Sequence, residues 1–235
     1  AQHAAAHRKH MLALIARYPE LEECYQETVE SYDRLLAAHP VEFHAAYIAN
    51  LEATFTPLFK VFLDHREVMF GGGDQRVASL MMWHFVEEIE HRSSAEIVFA
   101  GVVGNPWYQL RMLPRAMRHV TGITRLIADG FGGAVPAEDM GVAAEAATGA
   151  IWRTEALART PLLRRFITPG YPTMFNGIPT RDLLKLVGGL LISQIPNHHP
   201  GDVKAPEWFH TWMQSYAAGA DMAHFYGTGA IADAR

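Results

Sequence analysis

The segment from Trp83 to His91 places ionisable side chains where a helix should be apolar; it reads WHFVEEIEH. Steps of four and three residues outward from Glu88 define one helical face. That face comprises Val77, Met81, His84, Glu88, His91, Ala95, Val98 and Val102. The ends of this stripe are apolar, and its middle is a carboxylate between two imidazoles. A helix packed by this face would bury all three, and a buried carboxylate is costly unless it is paired.

The spacing of Glu88 and His91 indicates what could pair them. Residues three apart lie one turn apart on the same side of a helix. Helical bundles use this Glu-x-x-His spacing to hold a carboxylate-bridged pair of metal ions. Taken alone the motif is weak, because it also arises by chance and as an exposed ion pair. Glu87 and Glu90 fall on the flanks of the stripe, where a solvated face is the simpler interpretation.

Two further helical stripes carry isolated ligand types. Stepping from Val41 gives an apolar face in which Glu52 is the only charged residue; its members are Val41, Ala45, Ile48, Glu52, Phe55, Phe59 and Phe62. Near the N-terminus His3, His7 and His10 follow the same rhythm. A single histidine on an apolar face is more often a hydrogen-bonded core residue than a ligand. The coincidence of Glu52 with Glu88 and His91 at stripe centres favours a shared metal site.

Three runs together resemble the bacterial family of predicted metal-dependent hydrolases, whose fold is related to that of ferritin-like di-iron proteins. The runs are WHFVEEIEH from Trp83, LEATFT from Leu51 and QHAAAH from Gln2. The family's Trp-His-x-x-Glu-Glu-x-Glu-His motif is matched in full. The resemblance is close over residues 1–105 and looser beyond them. It implies an all-α protein, with a ferritin-like helical bundle and additional C-terminal helices.

The resemblance also implies a set of ligands. Glu88 and His91 would bind one metal ion, Glu52 would be a ligand or a bridge, and His3 would be the imidazole of the other metal. His7 and His84 would supply extra imidazoles, related by the pseudo-symmetry of the bundle. His3 is accordingly expected to face Glu88 and His91.

The beginning of the chain departs from the family. The family has one Glu upstream of the first residue here and another three residues ahead of the position of His3, yet the sequence opens at Ala1 without Met. We expect that an N-terminal portion is removed, separate or unrecorded. Two carboxylate ligands would go with it, so the second metal position is expected to be partly vacant unless further protein precedes Ala1.

Composition favours one soluble, helical, cytoplasmic domain over residues 1–235, with 49% hydrophobic residues to fill its core. The net charge of -5 comes without charged blocks, so nothing indicates nucleic acid. The single Cys24 excludes an internal disulfide framework and gives no support to Cys-ligated zinc. The best apolar run, Leu186–Ile195, is about half the roughly 20 residues of a membrane span.

Apolar periodicity and breaker residues predict eight helices. They cover residues 1–17, 20–39, 41–64, 75–103, 107–129, 137–157, 180–194 and 205–225. Pro57 is expected to bend the third helix. The run from His198 to Asp202 resembles the family's His-Pro-x-Asp segment, and its residues indicate a turn in which Asp202 caps the last helix. The C-terminal aromatic residues are expected to cover the bundle; they are Trp208, Phe209, Trp212, Tyr216, Phe225 and Tyr226.

Carboxylate and imidazole ligands without thiolates suit iron, manganese or zinc. Our main hypothesis is a non-haem di-iron oxygenase or oxidase with two metal ions, iron being preferred. The alternatives are a zinc or manganese hydrolase that uses a metal-activated water, and a non-catalytic metal-binding bundle. The expected partners are a small-molecule substrate, for which a hydrophobic compound is one option, and an electron donor if the protein is an oxygenase. A homodimer is left open.

Overall fold

Helices make up the regular structure in a computed structural model that describes residues 2–71, 73–140, 175, 177–196 and 198–224. Nine α-helices and no strand occur in these ranges, which confirms the all-α class. They are α1 (Gln2–Arg17), α2 (Leu21–Ala38), α3 (Val41–Asp64), α4 (Arg66–Phe70), α5 (Gln75–His91), α6 (Ser94–Val102), α7 (Pro106–Ala134), α8 (Thr180–Ile192) and α9 (Glu207–Ala217). Short 3-10 helices lie at Pro200–Asp202 and Met222–His224.

The predicted starts of the helices that the structure describes lie within two residues of the observed starts. The helix predicted over 205–225 is wrong at its end, because α9 stops at Ala217. A second difference concerns residues 75–103. This range forms two helices, α5 and α6, interrupted at Arg92 and Ser93. The predicted helix at 137–157 and the aromatic residues Phe225 and Tyr226 lie largely or wholly outside the described residues. The turn at 200–202 is confirmed, but Asp202 does not cap α9: the N-cap position of that helix is Pro206, with no side-chain cap.

The chain divides into two compact units, each built from two stretches of sequence. The first comprises Ala1–His44 and Pro114–Thr180, and the second comprises Ala45–Leu113 and Arg181–Arg235. The single domain over residues 1–235 stays a prediction. Among the described residues no helix has the length and apolar character to cross a membrane, as expected for that part of the chain.

In the first unit, α2 packs closely against α7. A Cβ atom at Gly130 would lie 2.5 Å from Sγ of Cys24, so glycine permits the approach. The Cys24 thiol contacts the carbonyl of Leu126 at 3.6 Å, and the hydroxyl of Ser31 lies 3.3 Å from Nε2 of His119. These contacts hold the two helices side by side.

The core of the second unit lies among α3, α5 and α8. Its fully buried side chains include Leu63, Met82, Val86, Ile89, Leu183 and Leu186. Buried Asn50 donates its side-chain amide to the carbonyl of Gln109 at 3.1 Å, and Gln194 donates to the hydroxyl of Thr54 at 3.1 Å. Helix α3 therefore carries polar anchors for both the start of α7 and the segment after α8.

The predicted core stripes are only partly buried. Val77, Val98 and Val102 are exposed on α5 and α6, and so are Val41 and Ile48 on α3. The buried face of α5 is instead formed by Ala78, Ser79, Met82, Phe85, Val86 and Ile89. Because α5 ends at His91 and α6 starts at Ser94, the predicted face does not continue from one helix to the next. The candidate ligands consequently lie at the edge of the core, where side chains can reach both protein and solvent.

Candidate metal centre

Glu52 lies on α3 and reaches the first turn of α6. Its carboxylate accepts a hydrogen bond of 2.8 Å from the backbone amide of Ala95, and the amide of Glu96 also contributes. Ser93, at the N-cap position of α6, makes no side-chain cap of its own. Glu52 therefore caps α6 from a neighbouring helix, where an anion is favoured by unsatisfied amides and the helix dipole.

The electrostatic surroundings of Glu52 connect it to the motif on α5. Burial raises the pKa of the Glu52 carboxyl, the Ala95 amide opposes that shift, and the Glu88 carboxylate raises the pKa further. The Glu96 amide and His91 act in the opposite direction. Glu52, Glu88 and His91 are thus close enough to influence one another, and the net result is a carboxyl whose pKa lies above its usual value. Burial is the main cause of this increase, and the like charge of Glu88 adds to it.

The three α5 candidates differ in their exposure. Glu88 and His84 are half-buried, whereas His91 is exposed at the last position of the helix. The His84 ring packs edge-on against Phe59, with 5.7 Å between ring centroids. The expectation that one face buries all three is therefore wrong for His91, because α5 ends there instead of continuing into the core.

The N-terminal candidates lie on α1. His7 is half-buried and lines an open groove of about 590 Å³ with His10, Met11 and Leu14 of α1 and with Tyr25 of α2. The side chain of His3 lies outside the described residues. Metal roles for His3 and His7, and the expectation that His3 faces Glu88, stay predictions.

A segment that the sequence marked only as a turn packs against the junction of α5 and α6. Arg92 donates hydrogen bonds to the carbonyls of Ile89 (2.6 Å), Pro200 (3.1 Å) and Gly201 (3.2 Å). Nδ1 of His199 then lies 3.2 Å from a carboxylate oxygen of Glu96. The loop therefore places the imidazole of His199 beside the Glu96 carboxylate, in the helix turn that Glu52 caps.

The donor types at this junction fit a hard or borderline divalent cation, since they are carboxylate oxygens and imidazole nitrogens without thiolate. Within the described part of the chain, however, no three His, Cys, Asp or Glu side chains converge closely enough to hold one ion. The side-chain positions therefore provide suitable donors near one another and not a closed coordination sphere. A metal ion bound here would need the candidate side chains to rotate towards it. In Glu52, one carboxylate oxygen already accepts the hydrogen bond from the Ala95 amide.

An all-helical chain with carboxylates and imidazoles at a helix junction defines a class of candidate metalloproteins. The chain belongs to the family described as predicted metal-dependent hydrolases, whose model matches residues 1–171. Neither the curated proteins nor the solved structures contain a significant match. The family resemblance is thereby confirmed, and the ferritin-like arrangement of the helices stays a prediction.

Glu96, His199 and Arg92 were missed as members of this neighbourhood. Glu96 falls off the predicted stripe, and the residues from His198 to Asp202 contain breakers that indicate only a turn. The one available signal was the His-Pro pair within that turn. The periodicity of apolar residues predicts which face of a helix is buried. It does not predict which distant loop packs against the end of that helix.

Proposed function

We propose that this protein is a metal-dependent hydrolase in which Glu52, Glu88 and His91 supply ligands for a divalent cation. The observation that carries the proposal is the grouping of ligand types at one helix junction: the Glu52 carboxylate, which accepts a 2.8 Å hydrogen bond from the Ala95 amide, lies within electrostatic range of Glu88 and His91. Two half-buried carboxylates beside an imidazole form an environment in which a bound cation stabilises the ionised carboxylates. The family to which the chain belongs supports the same class of reaction.

The bound cation would supply an acidified water as the nucleophile. Glu88 and His91 present their donors from neighbouring turns of α5, and Glu52 contributes from α3. The first turn of α6 holds Glu52 in place through its amide hydrogens. We further propose that Glu96 orients the exposed imidazole of His199, 3.2 Å away, so that this ring accepts or returns a proton during hydrolysis.

The number and identity of the metals form a finer part of the proposal. Zinc or manganese suits hydrolysis with these donors, and a second ion bound through His3, His7 or His84 is retained as a proposal. The di-iron oxygenase hypothesis gains no support from the family description, which names hydrolysis. Oxygen consumption separates the two chemistries experimentally.

The test uses the whole chain with ester, amide and phosphodiester chromogenic probes. Turnover of at least one probe is expected to disappear with a chelator and return with zinc or manganese, without oxygen uptake. Glu88→Ala should abolish the metal-dependent part, while Glu90→Ala, an exposed neighbour on the same helix, should retain it. Metal-dependent turnover of no probe, or reduced iron that consumes oxygen, would contradict the hydrolase proposal.

A further inference from the structure

A second site is indicated by a cavity of about 290 Å³ in the second unit. It lies between α3 and α8 and is closed on one side by the loop after α8. Pro57, Val61, Leu186 and Val203 give it an apolar lining. A Cβ atom at Gly189 would approach Cβ of Pro57 to 3.0 Å, so glycine allows α8 to come close to α3 here. The volume is near the lower end of ligand pockets, which span about 300–1,000 Å³.

The charged groups around this cavity are paired with one another. Nζ of Lys60 lies 2.8 Å from Asp64, and Asp182 accepts a hydrogen bond of 2.9 Å from Lys185. Nε2 of His65 lies 3.5 Å from the second oxygen of Asp182. Each of these charged side chains at the rim thus has an oppositely charged side chain or a histidine beside it. This pairing favours an uncharged ligand, which would leave the ion pairs intact.

His198 lines the cavity and carries a polar side-chain atom without a hydrogen-bond partner among the described residues. That atom, Nε2, is buried. The residue lines both the cavity and a void of about 10 Å³ beside Ala53 and Glu96. That void has room for about one water molecule at most. Buried side-chain nitrogens are normally hydrogen-bonded. Because His198 lines the cavity, a rotation of its covered ring would offer this nitrogen to a ligand atom there.

We propose that this cavity binds a small, neutral, mostly apolar molecule that carries one hydrogen-bonding oxygen, with that oxygen at Nε2 of His198. A hydroxyl group can donate to the imidazole, and a carbonyl can accept from it, depending on the tautomer. Binding of this molecule does not require the metal. We further infer that the molecule is the substrate of the hydrolase, and this second inference rests on the proposed function. His198 and Glu96 both line the small void beside the cavity, so the polar end of such a molecule would lie on that side.

Benzyl alcohol and toluene are suitable probes because they differ by one hydroxyl group. Titration of the whole protein by ligand-observed NMR should show saturable binding of both, with benzyl alcohol bound about fivefold more tightly. His198→Phe keeps a ring of similar size but removes the nitrogen, and it should abolish that preference. Glu88→Ala should bind benzyl alcohol like the wild type, so that failure of the metal site does not obscure the result.

A matched pair on α8 tests the location of the cavity. Ile192 lines it, whereas its neighbour Leu191 is 70% exposed and does not. Ile192→Trp should weaken both probes by about tenfold, and Leu191→Trp should leave them within about twofold of the wild type. Circular dichroism checks that the variants fold. Absence of saturable binding, an equal effect of both tryptophans, or an unchanged preference in His198→Phe would overturn the proposal.

Discussion

At the scale of single residues, Glu52 faces two opposing demands. The first turn of α6 favours a negative charge on its carboxylate, because the amide of Ala95 donates to it. Burial and the nearby Glu88 disfavour that charge and raise its pKa. A divalent cation bound nearby would offset the effect of burial and of Glu88, and the amides of α6 would still favour the negative charge. The same residue can therefore stabilise a helix end and serve as a ligand.

This balance predicts a pH-dependent effect of Glu52→Gln in metal-free protein. Since the folded state holds the Glu52 proton more tightly than the unfolded state, the ionised carboxylate costs stability above its pKa. Glutamine should raise the free energy of unfolding at neutral pH by at most about 1 kcal/mol, because solvent screens a half-buried group. The gain should vanish below the ordinary Glu value of 4.5. Thermal denaturation at several pH values measures it.

Exposed Glu90 provides the control for this experiment, and Glu90→Gln should show little change with pH. A Glu52→Gln variant that is less stable than the wild type at neutral pH would show that the charged cap outweighs the repulsion. In that case the carboxylate would need no cation, and the argument for a metal at Glu52 would fail.

Spacing along the sequence predicted that Glu52, Glu88 and His91 belong to one neighbourhood, and the shared electrostatics of the three agree with it. Spacing could not predict that Glu52 caps a neighbouring helix. Capping across helices depends on where one helix ends relative to another, and periodicity holds no information on that distance. The proximity of Glu96 and His199 was unpredictable for the same reason.

At the scale of secondary structure, the break between α5 and α6 is the feature that shapes the candidate site. No Gly or Pro marks it in the sequence, where Arg92, Ser93 and Ser94 follow one another. A continuous helix was therefore the natural prediction. Arg92 satisfies carbonyls at the end of α5 and in the loop at Pro200 and Gly201. These long-range contacts stabilise an interruption that local propensity does not reveal.

Arg92→Ala is expected to destabilise this junction by about 1–3 kcal/mol, because three carbonyls lose a charged donor. Amide hydrogen exchange should become faster at residues 198–203, since the loop is held there by Arg92. Arg76→Ala, an exposed arginine in the first turn of α5, should change the free energy of unfolding by less than about 0.5 kcal/mol. Unchanged exchange in the loop of Arg92→Ala would contradict this account of the junction.

The positions of the helices were more predictable than the faces they bury. Regular apolar spacing and breakers such as Pro40 predicted α1, α2 and α3 almost to the residue. The prediction of which face of α5 is buried was wrong by about one position around the helix. The predicted stripe through Glu88 and the observed stripe through Val86 and Ile89 both contain apolar residues. Only the neighbouring helices decide which of two apolar faces is covered.

At the scale of the whole molecule, membership of the family of predicted metal-dependent hydrolases supports the proposed class of activity, and the chain divides into two compact units. The candidate ligands Glu52, Glu88 and His91 all belong to the second unit, as do the loop at His199 and the cavity at His198. This unit therefore contains the proposed catalytic groups and the proposed ligand pocket. The homodimer and the role of the N-terminal histidines stay predictions.

The central claim is that Glu88 helps to hold a metal ion, and elemental analysis of purified protein tests it most directly. Wild-type protein and Glu90→Ala should retain the same metal content after dialysis. Glu88→Ala should lose at least about half of it, because removal of a ligand lowers affinity by more than the 10–100-fold typical of supporting residues. Full metal occupancy in folded Glu88→Ala, or wild-type protein that binds no divalent metal, would contradict the account.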